Sequence, residues 1–337
     1  MKIRALLKTV AEVNASDLHL SIGLPPMLRL RGTLEPIGEK VITGTDISEM
    51  LFSILPKEKH NFDPLEEMDV AINIDGIGRF RTNIFYERRG LSVAFRYIPI
   101  TLKSLSDLGL PPVVGNCFSM ERGFVLVTGV TGSGKTTTLA SIIDQINSRR
   151  KTHIITIEDP IEFVHHHKQS IISQREIGTH SRSFAGALRA ALREDPDVIL
   201  VGEMRDLETI SIALTAAETG HLVFATLHTR GAAQTVDRII DVFPAAQQEQ
   251  IRVQLADVLE MVVSQVLVPE VNGQKRHLAC EIMVATSAIK HHIREKKTFQ
   301  MQSVIETSMQ DGMQTMDKSL KALLHVGLVN KKDVLPW

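Results

Sequence analysis

Residues 129–136 constrain the fold of this sequence more than any other stretch. They read Gly-Val-Thr-Gly-Ser-Gly-Lys-Thr and match the pattern G-x-x-x-x-G-K-[ST]. An apolar run at 123–128 precedes them, and residues 137–146 carry apolar side chains at helical spacing. A strand, a glycine-rich loop and a helix in this order form a P-loop, in which backbone N–H groups and a helix N-terminus face phosphates. The sequence therefore predicts a binding site for a nucleoside triphosphate.

The loop also predicts which side chains hold the nucleotide. Lys135 is expected to reach the β- and γ-phosphates, and the Thr136 hydroxyl to bind Mg²⁺. The alternative is a glycine-rich turn without a ligand, but the flanking strand and helix argue against it. The predicted nucleotide-binding residues are Gly129, Thr131, Gly132, Ser133, Gly134, Lys135, Thr136 and Thr137.

The composition is that of a globular protein with two or three domains. The chain has 337 residues, of which 43% are hydrophobic and 23% charged. Its apolar runs are strand-sized, so no transmembrane helix is predicted. A net charge of −1 gives no support for nucleic-acid binding. Cys117 and Cys280 are far apart, which fits a reducing compartment and excludes a zinc module built from cysteines.

Residues 1–98 predict a small α+β domain. Strand patterns occur at 16–22, 27–31, 69–74, 79–86 and 92–98, with helical patterns at the N-terminus and at 46–55. In the strand at 79–86, Arg81 lies on the face opposite Phe80, and Arg96 lies on the polar face of the next strand. Such arginines either lie on a solvated face or act as arginine fingers toward a neighbour's nucleotide.

Beyond a proline-containing linker at 99–113, the pattern changes to apolar runs that alternate with helices. The runs lie at 124–128, 153–157, 198–201 and 222–226, and two intervening helices are predicted at 183–193 and 207–218. Runs that are apolar on both faces predict a doubly wound parallel sheet, with its ligand at the carboxyl ends of the strands.

The sequence after about residue 231 is predicted to be mostly helical. Long helical spacing runs from 245 to 268, where Pro269 ends it, and shorter helices are predicted at 288–296 and 316–325. One late strand is predicted at 278–284.

Three polar side chains follow the predicted core strands. Glu203 ends the run at 197–202 and is a candidate Walker B acid for Mg²⁺. Glu158 follows 153–157 and could activate the attacking water, although Asp159-Pro160 could simply end that strand. His228 follows 222–227 and is a candidate γ-phosphate sensor, although a lone histidine at a strand end is more often structural. Histidines 165–167 are predicted to form a solvated loop rather than a metal site.

Four longer motifs occur in a fixed order. They lie at 15–20, 157–163, 191–206 and 219–229 and resemble an opening motif, an Asp box, an atypical Walker B region and a His box. With the P-loop, they make the sequence similar, over essentially the whole chain, to the secretion-superfamily ATPases. These enzymes power type IV pili and type II secretion, and the resemblance is strongest to the pilus retraction motors.

The resemblance implies a PAS-like domain at 1–98, the linker at 99–113 and a RecA-like ATPase domain at 114–337 with a helical appendage. It implies an ATPase that uses ATP and Mg²⁺ and assembles as a homohexamer. Glu158 is then the catalytic base, Glu203 the Walker B acid that holds Mg²⁺ with Thr136, and His221 and His228 the His-box residues. Arg81 and Arg96 correspond to arginines that the family's N-terminal domain offers to nucleotide.

The resemblance also implies a cellular setting. The expected function is pilus retraction and twitching motility, with an inner-membrane platform protein as the partner. We expect no nucleic acid, and membrane contact only through the pilus machine. The implied location is cytoplasmic, peripheral to the inner membrane at the pilus base.

Alternatives stay open within and outside this family. The retraction-motor motif A-I-R-N-L-I-R-E corresponds to 288–295, where this sequence has Lys290, His291 and His292 instead. An accessory retraction ATPase, or an extension or type II secretion ATPase, is therefore an alternative, although two cysteines cannot form the four-cysteine zinc insert that extension and secretion ATPases often carry. Outside the family, a RecA-like nucleic-acid motor and a non-enzymatic nucleotide switch are the alternatives.

Overall fold

A computed structural model describes residues 2–30, 32–98, 102–273 and 275–334. The chain divides into two compact units. The first comprises Met1–Thr101 with Glu162–Val164, and the second comprises Leu102–Ile161 with His165–Trp337. The start of the predicted linker, residues 99–101, lies outside the described residues.

The first unit contains a six-stranded antiparallel sheet and two helices. The strands lie in the order β3-β2-β1-β6-β5-β4. The elements, in chain order, are α1 (Ile3–Glu12), β1 (Asp17–Ser21), β2 (Met27–Leu30), β3 (Thr33–Pro36), α2 (Gly44–Phe52), β4 (Met68–Ile74), β5 (Gly78–Glu87) and β6 (Gly90–Ile98), with a 3₁₀ turn at Lys57–Lys59.

One face of this sheet forms the core of the unit. The buried side chains of β5 and β6, including Phe80 and Phe95, pack in one cluster with the apolar faces of α1 and α2. A capping box starts α2, because the Thr43 side chain accepts from Asp46 N–H and the Asp46 side chain accepts from Thr43 N–H. The predicted α+β class is confirmed, and the PAS-like label stays a prediction.

The second unit contains a seven-stranded sheet in the order β13-β12-β7-β11-β10-β8-β9. Its elements are β7 (Gly123–Thr128), α3 (Lys135–Arg149), β8 (His153–Glu158), β9 (Ile171–Glu176), α4 (Phe184–Ala191), β10 (Val198–Val201), α5 (Leu207–Glu218), β11 (Leu222–Leu227), α6 (Ala232–Asp241), α7 (Ala245–Val258), β12 (Leu259–Pro269), β13 (Arg276–Val284), α8 (Ser287–Arg294), α9 (Met301–Thr307), α10 (Met316–His325) and α11 (Lys331–Val334). Short 3₁₀ turns lie at Pro112–Phe118, Thr298–Gln300 and Met309–Asp311.

Helices cover both faces of this sheet. Six strands run parallel, and β13 joins the edge antiparallel to β12. On one face, the buried side chains of α3 pack against even-numbered residues of β8 and β10, such as Ile154 and Val198. On the other face, α4 to α7 pack against odd-numbered residues, such as Ile155 and Ile199. This is the doubly wound α/β arrangement, and it confirms the predicted fold class.

One predicted element is wrong. The helix predicted over 245–268 is two elements, because α7 ends at Val258 and β12 begins at Leu259. Strand β12 lies between β7 and β13, so its side chains are buried on both faces. The C-terminal part is therefore less helical than predicted, because β12 and β13 extend the sheet.

Among the described residues, no helix combines the length and the apolar character that crossing a membrane requires.

Candidate nucleotide-binding site

The P-loop connects β7 to α3. Helix α3 begins at Lys135, and its N-cap, Gly134, has φ +91° and no capping side chain. The first N–H groups of an α-helix have no partner within the helix. In α3 these groups lie at the positive end of the helix dipole, which favours an anion such as phosphate.

Gly129 lies where the loop meets β12. Its φ is +141°, and a Cβ at this position would lie 2.3 Å from the carbonyl oxygen of Gln265. The Gln265 side chain is buried, and its Nε2 donates to the Ser133 carbonyl at 2.8 Å. Strand β12 therefore packs against the P-loop, and only a glycine at position 129 permits so close an approach.

Lys135 lies against the same loop. Its side chain is buried, and Nζ donates to the carbonyl oxygens of Gly129 at 2.8 Å and Val130 at 3.2 Å. The ammonium is thus held at the mouth of the loop. Thr136 and Thr137, in the first turn of α3, are half-buried, whereas Thr131 and Gly132 are exposed at the tip of the loop.

Glu203 and His228 meet beside this loop. Because β10 and β11 are parallel neighbours, the residues that follow them emerge at the same edge of the sheet. The Oε1 atom of Glu203 lies 3.1 Å from Nε2 of His228, and its Oε2 accepts from Nη2 of Arg205 at 2.7 Å. The structure thus brings together these two predicted residues and adds Arg205.

The surroundings of Glu203 keep it ionised. Burial alone would raise its pKa, but the hydrogen bond and charge of Arg205 outweigh this effect, together with the charges of His228 and Lys135. The net result is a pKa below the usual value for a glutamate. An ionised carboxylate is the form that binds a divalent cation.

Glu158 is the last residue of β8 and is buried. Its Oε1 accepts from the Thr156 hydroxyl at 2.6 Å and from Nε2 of Gln174 at 3.2 Å. Strand β8 is the parallel neighbour of β10, so Glu158 and Glu203 follow adjacent strands at the same edge. Asp159, by contrast, is exposed.

Other predicted residues lie elsewhere. His221 precedes β11, and its Nδ1 lies 2.9 Å from the Ala216 carbonyl oxygen. Six residues of strand, or about 20 Å, separate it from the edge where His228 lies, so the structure does not bring His221 to the P-loop within this chain.

The two candidate arginine fingers belong to the first unit. Arg81 and Arg96 are register partners on β5 and β6. Arg81 pairs with Asp69 at 2.6 Å, and Arg96 with Asp17 at 3.0 Å. Their role toward nucleotide stays a prediction.

The loop at 165–167 differs from its prediction. His166 and His167 are exposed, but the side chain of His165 is only 3% exposed and lies beside Asp144. The expectation of a fully solvated loop is therefore wrong for His165, which packs against the P-loop helix because Asp144 belongs to α3.

The donor set fits the predicted substrate. The uncapped start of α3, the ammonium of Lys135 and the close approach at Gly129 suit a polyphosphate. The Thr136 hydroxyl and the Glu203 carboxylate are hard oxygen ligands of the kind that Mg²⁺ prefers. Histidine and cysteine, which suit softer metals, are not needed for this site.

Comparison with known proteins identifies the family. A family model described as type II/IV secretion system protein matches residues 67–329. The chain belongs to this family. The resemblance inferred from its motifs is thereby confirmed.

Two relatives in the type II/IV secretion family align over nearly the full chain. The type IV pilus retraction ATPase PilT of Pseudomonas aeruginosa is 47% identical over 99% of this chain and 97% of its own length. A twitching motility protein of Neisseria gonorrhoeae is 49% identical over 90% of this chain and 82% of its own length. A crystal structure of the pilus retraction motor PilT with bound ADP superposes with a TM-score of 0.92 at 44% identity, covering 100% of this chain and 96% of that one.

In this type II/IV secretion protein, four residues that were not predicted from the sequence support the predicted site residues. Thr156, Gln174, Arg205 and Gln265 contact the predicted site residues directly. Arg205 lies within the motif at 191–206 and Thr156 within the apolar run at 153–157, so both positions could have been noticed. Gln265 lies in the stretch predicted as a helix over 245–268, and Gln174 lies in a strand that was not predicted.

Proposed function

We propose that this chain is an ATP-hydrolysing motor that powers the retraction of type IV pili, and so twitching motility. The observation that carries the proposal is the convergence of Glu158, Glu203 and His228 at the sheet edge that bears the P-loop. The near full-length similarity to PilT supports retraction as the work performed.

The proposed mechanism assigns a role to each group. Lys135 and the N–H groups at the start of α3 bind the phosphates and stabilise the charge that develops during transfer. Thr136 and Glu203 would hold Mg²⁺, which when bound would supply positive charge to the phosphate oxygens. Glu158 accepts a proton from the water that attacks the γ-phosphorus, and ADP leaves with its terminal oxygen. His228, whose Nε2 lies 3.1 Å from Oε1 of Glu203, senses the γ-phosphate.

The proposed assembly is a homohexamer in which Arg81 and Arg96 complete the nucleotide site and His221 acts with the His box. We take 1–98 as a PAS-like domain, 99–113 as a linker and 114–337 as the RecA-like ATPase domain. ATP binding and product release move one domain against the other, and an inner-membrane platform protein receives the motion. The motor then works in the cytoplasm at the pilus base, without nucleic acid.

A purified Glu203→Gln protein tests the enzymatic part. We expect it to lose Mg-ATP turnover, as does Lys135→Ala, whereas Glu208→Gln on the exposed start of α5 keeps it. Normal turnover by the Glu203→Gln protein contradicts the assignment of the site.

Deletion of the gene in its host tests the direction of the work. Excess, immobile pili are expected, because extension continues without retraction. Loss of pili indicates an extension motor instead, and ATPase stimulation by single-stranded nucleic acid indicates a nucleic-acid motor.

A further inference from the structure

Gln174 uses both ends of its side-chain amide. It lies in β9, the edge strand that pairs with β8, with Thr156 as its register partner. Its Nε2 donates to Oε1 of Glu158 at 3.2 Å, and its Oε1 accepts the backbone N–H of His165 at 2.8 Å. A residue of the edge strand therefore contacts the carboxylate to which we assign the role of base.

The N–H group of His165 fixes the orientation of this amide. An amide carries an acceptor oxygen at one end and a donor NH₂ at the other. Because the backbone N–H can only donate, the oxygen must face His165, and the NH₂ is then directed to Glu158. Thr156 donates to the same Oε1 atom at 2.6 Å. Two neutral donors from adjacent strands thus hold one carboxylate oxygen.

The segment that carries the His165 N–H is itself anchored to the P-loop helix. Asn147 of α3 is fully buried; its Nδ2 donates to the His166 carbonyl at 2.8 Å, and its Oδ1 accepts from Lys168 N–H at 3.2 Å. Nζ of Lys168 pairs with Asp144, also of α3, at 2.7 Å. The chain of contacts therefore runs from α3, through this segment and Gln174, to Glu158.

The imidazole of His165 is buried beside α3, with its Nδ1 3.9 Å from Oδ1 of Asp144. Burial lowers its pKa to about 4, against the opposing effect of Asp144, with Lys168 and His166 lowering it further. The ring is therefore neutral at physiological pH and packs as an uncharged group.

We propose that Gln174 is a positioning residue that holds the carboxylate of Glu158 aimed for proton abstraction. This inference rests on the proposed role of Glu158 as the base. A carboxylate held by two donors keeps its geometry toward the attacking water. Because α3 follows directly on the P-loop, the same contacts hold Glu158 at a fixed position relative to the loop that binds the phosphates.

Steady-state ATPase assays on Gln174→Ala provide the test. We expect kcat to fall about 10- to 100-fold, as for loss of a hydrogen bond to a charged group, with KM for ATP changed less than about twofold. Gln174→Glu keeps the side-chain size but places an acceptor where the donor NH₂ stood, so it is expected to lose at least as much kcat.

Arg175→Ala is the matched control, since Arg175 is the next residue of β9 and pairs with Glu194 rather than Glu158. It is expected to keep kcat and KM within about twofold. A Gln174→Ala protein with wild-type kcat overturns the proposal. A loss of kcat that Arg175→Ala reproduces also overturns it, because general loosening of the edge strand has that effect.

A double-mutant cycle separates this proposal from the proposed function. If Gln174 acts through Glu158, Gln174→Ala adds little loss to a Glu158→Gln protein, whereas additive losses overturn the positioning role. If Glu158→Gln alone keeps wild-type turnover, the base assignment fails. If Glu158→Gln is inactive and Gln174→Ala is unaffected, the positioning role alone fails.

Discussion

Nε2 of His228 lies 3.1 Å from Oε1 of Glu203, so the ends of β11 and β10 are joined by a direct side-chain contact beside the P-loop. The other oxygen of Glu203 is held by Arg205. The carboxylate that we assign to Mg²⁺ therefore has one partner from the His box and one from its own loop. Substitution of either partner is therefore expected to affect ATP hydrolysis by altering Glu203.

Replacing His228 by alanine is expected to lower kcat about 10- to 100-fold, because the Glu203 carboxylate loses a polar partner at the site of phosphoryl transfer. His228→Gln retains a donor and is expected to lose less. Turnover measured with saturating Mg-ATP checks this, with His325→Ala at the exposed end of α10 as the control. Equal losses in His228→Ala and His325→Ala contradict a local role.

Replacing Arg205 by alanine is expected to make Mg²⁺ use sensitive to acid. The bond and charge of Arg205 help to lower the pKa of Glu203, so their removal raises that pKa, and the carboxylate protonates at a higher pH. The half-saturating Mg²⁺ concentration of the variant should therefore rise more than that of the wild type as the pH falls from 7.5 to about 5.5.

The control for this measurement is Arg189→Ala, which breaks an exposed pair with Glu208 away from the site. Parallel pH curves for Arg205→Ala and the wild type count against Arg205 as the group that keeps Glu203 ionised.

Replacing Gly129 by alanine is expected to weaken ATP binding by at least about tenfold. The new Cβ would lie 2.3 Å from the Gln265 carbonyl oxygen, so either the loop or β12 must move. Titration with a fluorescent ATP analogue measures the affinity. Gly178 also has a positive φ, +81°, but a Cβ there meets no atom within 4 Å, so Gly178→Ala separates the strain of a positive φ from the clash. Equal affinities in the two variants contradict the role of this close approach.

Replacing Glu281 by glutamine is expected to flatten the pH dependence of stability. Burial raises the pKa of this carboxyl above 4.5, although backbone N–H groups of Ala232 and Met316, at the starts of α6 and α10, lower it. A raised folded-state pKa adds stability that is complete below the unfolded value and is lost as the pH rises through the folded value. Glutamine is neutral and can still accept from the N–H groups.

Thermal unfolding from pH 4.5 upward tests this expectation. The melting temperature of Glu281→Gln relative to the wild type should rise with pH across that window. A difference in melting temperature that stays constant with pH shows that the pKa of Glu281 is the same in the folded and unfolded states.

The sequence predicted the site better than it predicted its supports. The P-loop, Glu158, Glu203 and His228 follow apolar runs, and parallel strands must present such residues at one edge, so their proximity could be inferred. Strand β9 was missed because four of its six residues are polar, from Ser173 to Glu176. An edge strand needs no continuous apolar run, and Gln174 was missed with it.

The error over 245–268 has a different physical origin. A strand in the middle of a sheet is apolar on both faces, as is a buried helix, so periodicity alone cannot separate them. No glycine or proline marks the change from Val258 to Leu259. The strand conformation of β12 is decided only by its pairing with β7, which is far away in sequence. Because β12 was not predicted, the support of Gln265 for the P-loop was not predicted either.

The contact of Gln265 with the P-loop joins residues that the ribosome adds at very different times. Gln265 and Ser133 are 132 positions apart, and β12 is the neighbour of β7 in the sheet. A chain growing on a ribosome therefore presents its P-loop long before the strand that braces it. Until residue 269 has emerged, one edge of β7 lacks its partner strand, and the P-loop lacks its contact with Gln265. We therefore expect the nascent chain to bind nucleotide only after β12 has paired with β7.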